Sequence, residues 1–276
     1  MTVRCAVLGS PVGHSLSPTL HRAAYVELGL DWEYDAVEVV ERDLARFLDG
    51  LDDTWRGLSL TMPLKRAVVP LLDEVSERAA QAQAANTVIL GEGRRVGHNT
   101  DIPGAVAAIG ERLPQAPASA LILGGGATAT STLLALADLG CPQIRLVVRD
   151  PARAHETLAA AGRHPSRPAV EVLTFGEAAG AAPALAPDLL VSTIPAAAQG
   201  AEALALAAHA GAVFDVVYDP WPTPLAAFCR AEGRVLVSGL DLLVHQAAHQ
   251  VTLMTGSPAP VEAMRAAGEA ALGARD

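Results

Sequence analysis

After Asp101 the chain repeats one rhythm: a short apolar run, then a stretch whose apolar residues recur at helical spacing. The runs are "ALILGGG", "IRLVVRD", "VEVLTF", "LLVSTI", "AVFDVV" and "RVLVSG". Strands that read as continuous apolar runs are buried on both faces, and helices between them make the crossovers. The pattern therefore demands an α/β architecture, a doubly wound parallel sheet with helices on both sides. A helix of about 101–112 and the connector "LPQAPAS" lead into it.

The first hundred residues alternate less regularly. "RCAVLGS" (4–10), "WEYDAVEV" (32–39) and "GLSLTM" (57–62) read as strands. "SPTLHRAAYVELG" (17–29) reads as a helix with Ser17 as N-cap, Pro18 at the first helical position and Gly29 after the end. Residues 66–84 read as helical, and "NTVIL" with "RRVGHNT" as a hairpin turning at Gly91–Gly93. The Ala/Pro-rich stretch 178–187 reads as a loop, and the tail from Gly239 as one long helical pattern.

With 276 residues, 51% of them apolar, the chain can build one large core or two ordinary ones. A formal charge of −10 argues against non-specific binding to nucleic acid or an anionic membrane. Cys5, Cys141 and Cys229 lie far apart, as expected of reduced, packed thiols in a cytoplasmic protein. No apolar run approaches the roughly 18 residues of a membrane span, and the N-terminal apolar stretch is short for a signal peptide.

The run "ALILGGGATATSTLLALADLG" carries a strand, a glycine turn and a helix start. Gly124, Gly126 and Ala129 form a G-x-G-x-x-A pattern, in which glycines allow a pyrophosphate to approach backbone N–H groups at a helix N-terminus. The loop Gly124, Gly125, Gly126, Ala127, Thr128 is therefore the candidate dinucleotide cradle, a tight turn without ligand being the alternative. Where the next strand ends, an acidic residue suits the ribose of NAD and an arginine suits the 2′-phosphate of NADP. Here Arg149 is followed by Asp150 and Pro151, with Arg153 a turn later. Asp150 before proline fits an N-cap, so Arg149 is taken as the specificity residue and NADP as the cofactor.

Ser15 and Ser17 lie on a turn entering a helix, and Asp101 opens another; each position also suits capping. His245 and His249 have i, i+4 spacing, but no third ligand accompanies them, so no metal is expected. Lys65 is the one lysine among 20 Lys and Arg residues. Surface lysines exchange readily with arginine. An ammonium that must transfer a proton does not, because a guanidinium stays protonated. A solvated surface charge is the alternative reading.

Together the segments resemble the shikimate dehydrogenase family along nearly the whole chain. "GSPVGHSLSPTLH" resembles its substrate-binding serine motif, and "SLTMPLK" its N-V-T-x-P-x-K segment. "AANT" and "HNTDIPG" resemble two further family segments, as do "YDPWPTPL" and "GLDLLVHQAAHQ" near the C-terminus. The resemblance implies NADPH-dependent reduction of 3-dehydroshikimate to shikimate, on the route to aromatic amino acids. It implies an N-terminal α/β substrate domain (1–101 with 240–276), a Rossmann-type cofactor domain (102–239), and a C-terminal helix returning to the first. The active site would lie in the cleft between them. Lys65 and Asp101 would be the catalytic pair. Ser15, Ser17, Thr61, Asn86, Tyr218 and Gln246 would hold the substrate, and Glu77, Val216 and Gly239 would add cofactor contacts.

The chain departs from the family pattern in several places. Ser59 stands where asparagine is common, so that hydrogen bond is expected to be shorter or lost. The glycine loop reads GGGAT, "VVRD" replaces N-R-T, and Leu242 replaces a methionine of similar size. An NAD-linked quinate/shikimate or aminoshikimate dehydrogenase is the rival, kept open by Asp150. A non-catalytic dinucleotide sensor would be expected to lack Lys65 or Asp101, and both are present. The working unit is expected to be a monomer or homodimer.

Overall fold

The computed structural model describes residues 2–274. They divide into two compact units: the residues up to Gly104 with those from Leu243 onward, and Ala105–Leu242. Both divisions fall inside helices, Asp101–Arg112 and Gly239–Thr255.

The first unit holds a six-stranded mixed sheet. Its strands are β1 (Val3–Gly9), β2 (Trp32–Glu38), β3 (Trp55–Leu60), β4 (Glu74–Val75), β5 (Thr87–Gly91) and β6 (Arg94–His98), in the order β2-β1-β3-β5-β6-β4. β1 runs parallel to β2 and β3, whereas β5 is antiparallel to β3 and β6. The β5–β6 turn places both Glu92 (φ 53°) and Gly93 (φ 68°) in the left-handed region, the conformation that matches the twist of a two-residue hairpin. Side chains of β1 alternate between two cores. Cys5 and Val7 pack with Tyr25, Tyr34 and Met254, while Ala6 and Leu8 pack with Leu44, Leu48, Leu58 and Leu64.

The second unit is a parallel sheet of β7 (Ser119–Leu123), β8 (Gln143–Val148), β9 (Val170–Thr174), β10 (Leu189–Ser192), β11 (Ala212–Asp215) and β12 (Val235–Val237). The order β12-β11-β10-β7-β8-β9 reverses direction at β7, as the doubly wound reading requires. Leu121, Leu123, Val147, Leu190 and Val213 form the core of one face with helix residues such as Leu206 and Leu225.

Four local expectations are corrected. Residues 66–84 are broken into the helix Leu64–Ala67, a 3₁₀ turn at Val69–Leu71, β4 and the helix Glu77–Ala82. Pro70 lacks the N–H that a continuous helix would need. Stretch 178–187 is mostly helical, covered by Phe175–Gly180 and Ala182–Leu185, because Thr174 and Glu177 form a reciprocal capping box and alanine favours helix. The tail is two helices, Gly239–Thr255 and Val261–Gly273, parted by Gly256 (φ 75°) and two prolines. Finally, Ser17 lies inside its helix and makes no side-chain cap bond; Ser15 Oγ instead accepts from Ser17 N at 3.2 Å.

Candidate active site

Parallel strands leave their carboxyl ends on one edge, where loops can converge. Thr61 N donates to Leu8 O at 2.8 Å and Ser10 N to Met62 O at 3.0 Å. The serine loop after β1 and the Thr61–Pro63 turn after β3 therefore leave the sheet side by side. β5 is antiparallel to β3, so its first residues lie at the same edge. Leu60 N donates to Asn86 O at 2.8 Å, and Asn86 N to His98 O at 3.1 Å.

Lys65 follows the turn on the helix Leu64–Ala67, and its carbonyl accepts from Ala85 N at 2.7 Å. Its Nζ lies 2.6 Å from Asp101 Oδ2; the side chains are 15% and 7% exposed. Asp101 opens its helix without capping it, because Asn99 Oδ1 accepts from Ile102 N at 3.3 Å. The carboxylate is thus left to face Lys65 and Asn86. Asn86 Nδ2 donates to Asp101 Oδ1 at 2.8 Å and to Gln246 Oε1 at 3.2 Å.

Gly104 explains the glycine that ends "HNTDIPG". A Cβ there would lie 2.8 Å from Gln246 N and 2.9 Å from Gln246 Cα, so only glycine lets the two helices approach. Lys65, Asp101, Asn86 and Gln246 thereby form one bonded cluster. Ser15, Ser17 and Thr61 lie on the neighbouring turns of the same unit, with Ser17 buried. Tyr218 is half-buried and lies in the second unit, beyond β11.

The glycine loop of the second unit is shaped for a close ligand. Gly124 has φ 109°, a conformation that side chains oppose, and an added Cβ would collide with Thr193. A Cβ on Gly125 would lie 2.8 Å from Arg153 O, while one on Gly126 would meet nothing within 4 Å. Gly126 is the N-cap of the helix Ala127–Asp138 and supplies no side-chain acceptor, so the first-turn N–H groups of Ala127, Thr128 and Ala129 lack a side-chain cap. A pyrophosphate fits that open, donor-rich end.

The turn after β8 packs against this loop through the Gly125–Arg153 approach, and Thr157 Oγ1 donates to Gly125 O at 3.4 Å. Exposed Arg149 and Arg153 flank it. Asp150 caps the 3₁₀ turn Pro151–Ala154, one carboxylate oxygen accepting from Ala152 N at 3.0 Å. Gly239 sits where a Cβ would be 2.6 Å from Val216 O, so Val216 and Gly239 are apposed backbones. Glu77 is exposed in the first unit, and its Oε1 accepts from Gln81 Nε2 at 3.2 Å.

Two polar groupings escaped the sequence reading. Asp215, at the end of β11, accepts from Thr223 Oγ1 at 2.6 Å and from Gln199 Nε2 at 3.0 and 3.1 Å. Burial pushes its carboxyl above the usual range, and these donors partly oppose that. The cluster ties down the stretch bearing Val216 and Tyr218. The other grouping joins Tyr34, Ser59, Gln250 and Thr87. Ser59, standing where asparagine is common, accepts through Oγ from Tyr34 at 2.5 Å and donates to Gln250 Oε1 at 2.8 Å. Gln250 lies one turn beyond Gln246, and that i, i+4 spacing was the available signal. Among the described residues, no three His, Cys, Asp or Glu side chains are placed to hold a metal, and no helix is long and apolar enough to cross a membrane.

Residues 7–88 match the family model described as the shikimate dehydrogenase substrate binding domain, and 239–267 that of the shikimate 5'-dehydrogenase C-terminal domain. A shikimate dehydrogenase (NADP(+)) of Moorella thermoacetica is 37% identical, with 98% of this chain and 93% of the relative covered. The chain belongs to the shikimate dehydrogenase family. The crystal structure of Mycobacterium tuberculosis shikimate dehydrogenase is 40% identical, with a TM-score of 0.87 over 98% of this chain and 99% of that one. Shikimate 5-dehydrogenase from Thermus thermophilus, solved with NADP(H) and shikimate, is 32% identical, with a TM-score of 0.80 over 98% of this chain and 100% of that one. The family also includes an NAD(+)-dependent quinate/shikimate dehydrogenase of Corynebacterium efficiens, 33% identical over 96% of this chain and 97% of the relative.

Proposed function

We propose that this chain catalyses the reversible, NADPH-dependent reduction of 3-dehydroshikimate to shikimate, in the biosynthesis of aromatic amino acids. The observation that carries the reading is the Lys65–Asp101 pair, 2.6 Å apart and bonded through Asn86 to Gln246.

NADPH, when bound, supplies the hydride that reduces the C3 carbonyl. The oxygen of that carbonyl gathers negative charge and must receive a proton. Lys65 stabilises the oxygen and protonates it; in the reverse direction Lys65 accepts the proton from the alcohol. Asp101 orients the ammonium, with Asn86 holding its other oxygen. Ser15, Ser17, Thr61, Asn86, Tyr218 and Gln246 bind the carboxylate and hydroxyls of the substrate. All carry a hydroxyl or an amide, groups that hydrogen-bond a polyhydroxy acid without adding charge.

Gly124, Gly125, Gly126, Ala127 and Thr128 hold the pyrophosphate, and Arg149 with Arg153 hold the 2′-phosphate. Val216, Gly239 and Glu77 are the further cofactor contacts. The cap bond from Ala152 N occupies one Asp150 oxygen, which supports NADP over NAD. Buried, unbridged Cys5, Cys141 and Cys229 support a cytoplasmic, reducing setting.

Initial rates with NADP and NAD against shikimate and quinate test the reading. NADP with shikimate is expected to give the highest kcat/KM. Preference for NAD with quinate would favour the rival dehydrogenase, and binding of shikimate without turnover would favour a sensor.

A further inference from the structure

A chain of hydrogen bonds runs through the buried core of the first unit and ends on Asp101. Tyr34 O–H donates to Ser59 Oγ at 2.5 Å, and Ser59 donates to Gln250 Oε1 at 2.8 Å. Gln250 Nε2 donates to Thr87 Oγ1 at 3.0 Å, and Thr87 donates to Asn86 Oδ1 at 3.0 Å. Asn86 Nδ2 then donates to Asp101 Oδ1 at 2.8 Å. Every member is at most 5% exposed, so water cannot readily substitute for a missing partner.

Two backbone groups decide the direction of this chain. Gln250 Nε2 also faces Asn86 O at 3.2 Å, and a carbonyl can only accept. Gln250 must therefore turn its nitrogen toward β5 and its oxygen toward Ser59. Asn86 Oδ1 faces Thr100 N at 2.7 Å, and a backbone N–H can only donate. Asn86 must therefore turn its nitrogen toward the Asp101 carboxylate. Thr87, lying between the amides, accepts from one and donates to the other. A flip of either amide would set donor against donor or acceptor against acceptor at buried positions.

We propose that Thr87 and Gln250 are positioning residues for the reaction, with Ser59 and Tyr34 behind them. Together with the N–H of Thr100, they hold Asn86 in the one amide orientation that presents N–H to Asp101 Oδ1, leaving Oδ2 for Lys65. Tyr34 and Ser59 together form the far end of the array, the tyrosine hydroxyl donating to the serine oxygen. None of the four is assigned to touch substrate or cofactor. The inference rests on the reading of Lys65 and Asp101 as the catalytic pair.

The experiment is steady-state kinetics of Thr87→Val and Thr87→Ser in the full chain with NADP and shikimate. Valine keeps the shape and removes the hydroxyl; serine keeps the hydroxyl. Thr87→Val is expected to lower kcat about tenfold with KM for shikimate within about twofold, and Thr87→Ser to stay within about twofold of wild type. The same Thr87→Val change in an Asp101→Asn background is expected to cause no further fall, because the array acts through that carboxylate. Where Thr87→Val does not fold, Gln250→Met carries the same expectations. A kcat within about twofold of wild type, a raised KM with unchanged kcat, or an equal loss in both backgrounds would overturn the proposal. If Asp101→Asn alone turned over at the wild-type rate, the catalytic-pair reading would fail instead.

Discussion

The ammonium of Lys65 and the carboxylate of Asp101 meet at 2.6 Å across 36 residues of sequence. One comes from a four-residue helix after a strand, the other from the first position of a twelve-residue helix. A guanidinium at position 65 would keep the charge and lose the readily transferable proton. Lys65→Arg is expected to reduce kcat by about 10²–10⁴ at saturating substrates, with shikimate affinity by direct titration changing far less. A kcat within about threefold of wild type would remove the acid–base role.

Cofactor choice turns on the end of β8. Arg149→Ala is expected to weaken NADP binding by roughly 1.5–3 kcal/mol and to leave NAD nearly unchanged. Asp150→Ser keeps a side-chain oxygen for Ala152 N and removes a negative charge, so it is expected to raise the NADP-to-NAD preference without lowering Tm. Calorimetric titration of both cofactors checks each variant. Equal losses for the two cofactors in Arg149→Ala would show that it does not read the 2′-phosphate.

Ser17 makes no side-chain cap bond with its helix, so its hydroxyl is not needed to start it. Ser17→Ala is expected to raise the KM for shikimate and leave Tm within error of wild type. Ser15→Ala removes the acceptor of Ser17 N and is expected to lower stability by about 0.5–1.5 kcal/mol as well. Thermal melts beside Michaelis curves separate the two serines. An unchanged KM in Ser17→Ala would take it out of the substrate site.

His21 is fully buried, stacked on Tyr34 at 3.9 Å between centroids, with Nδ1–H donating to Ser17 O at 2.9 Å. Burial lowers its pKa from 6.5 to about 4. Between those values the unfolded chain binds a proton that the folded chain refuses, so stability falls as pH drops from about 6.5 toward 4. His21→Phe removes that component while leaving the burial-lowered His98 and His249 in place. Urea unfolding at pH 7 and pH 4.5 is expected to show a larger loss in wild type, by on the order of 2 kcal/mol. Equal losses would contradict a buried, neutral His21.

Gly104→Ala would drive a Cβ into the backbone of Gln246, where no side-chain rotation can relieve it. Both stability and kcat are expected to fall, because Asp101 and Gln246 lie on the two helices that must separate. Wild-type Tm and kcat in this variant would show that the helices can part without disturbing the site.

Much of the candidate site was legible because its residues stand in short contiguous motifs. Strand, glycine turn and helix start follow one another between 119 and 138, so local chemistry alone marks the candidate cradle. Lys65 stood out through the absence of any other lysine. The polar array from Tyr34 to Asp101 was not legible. Its first link joins residues 25 apart, and the Ser59–Gln250 bond spans 191 positions. Tyr34 and Thr87 on strands look like ordinary β-formers, and Gln250 like any polar helix residue.

The alternation of apolar runs with helical spacing is a property of neighbours along the chain, so it specified the parallel sheet, its helices and the glycine turn. Proline at 70 and the Gly256–Pro260 segment were also present to be read, yet a smooth helical pattern hid them. Which way an amide points, and whether an aspartate caps its helix or faces a lysine, depend on groups brought together from distant positions. Asn86 turns its nitrogen to Asp101 because the N–H of Thr100 occupies its oxygen. Asp101 is released from capping because Asn99 takes that bond. Those choices follow from pairing buried donors with acceptors, and the pairs exist only once the chain is folded.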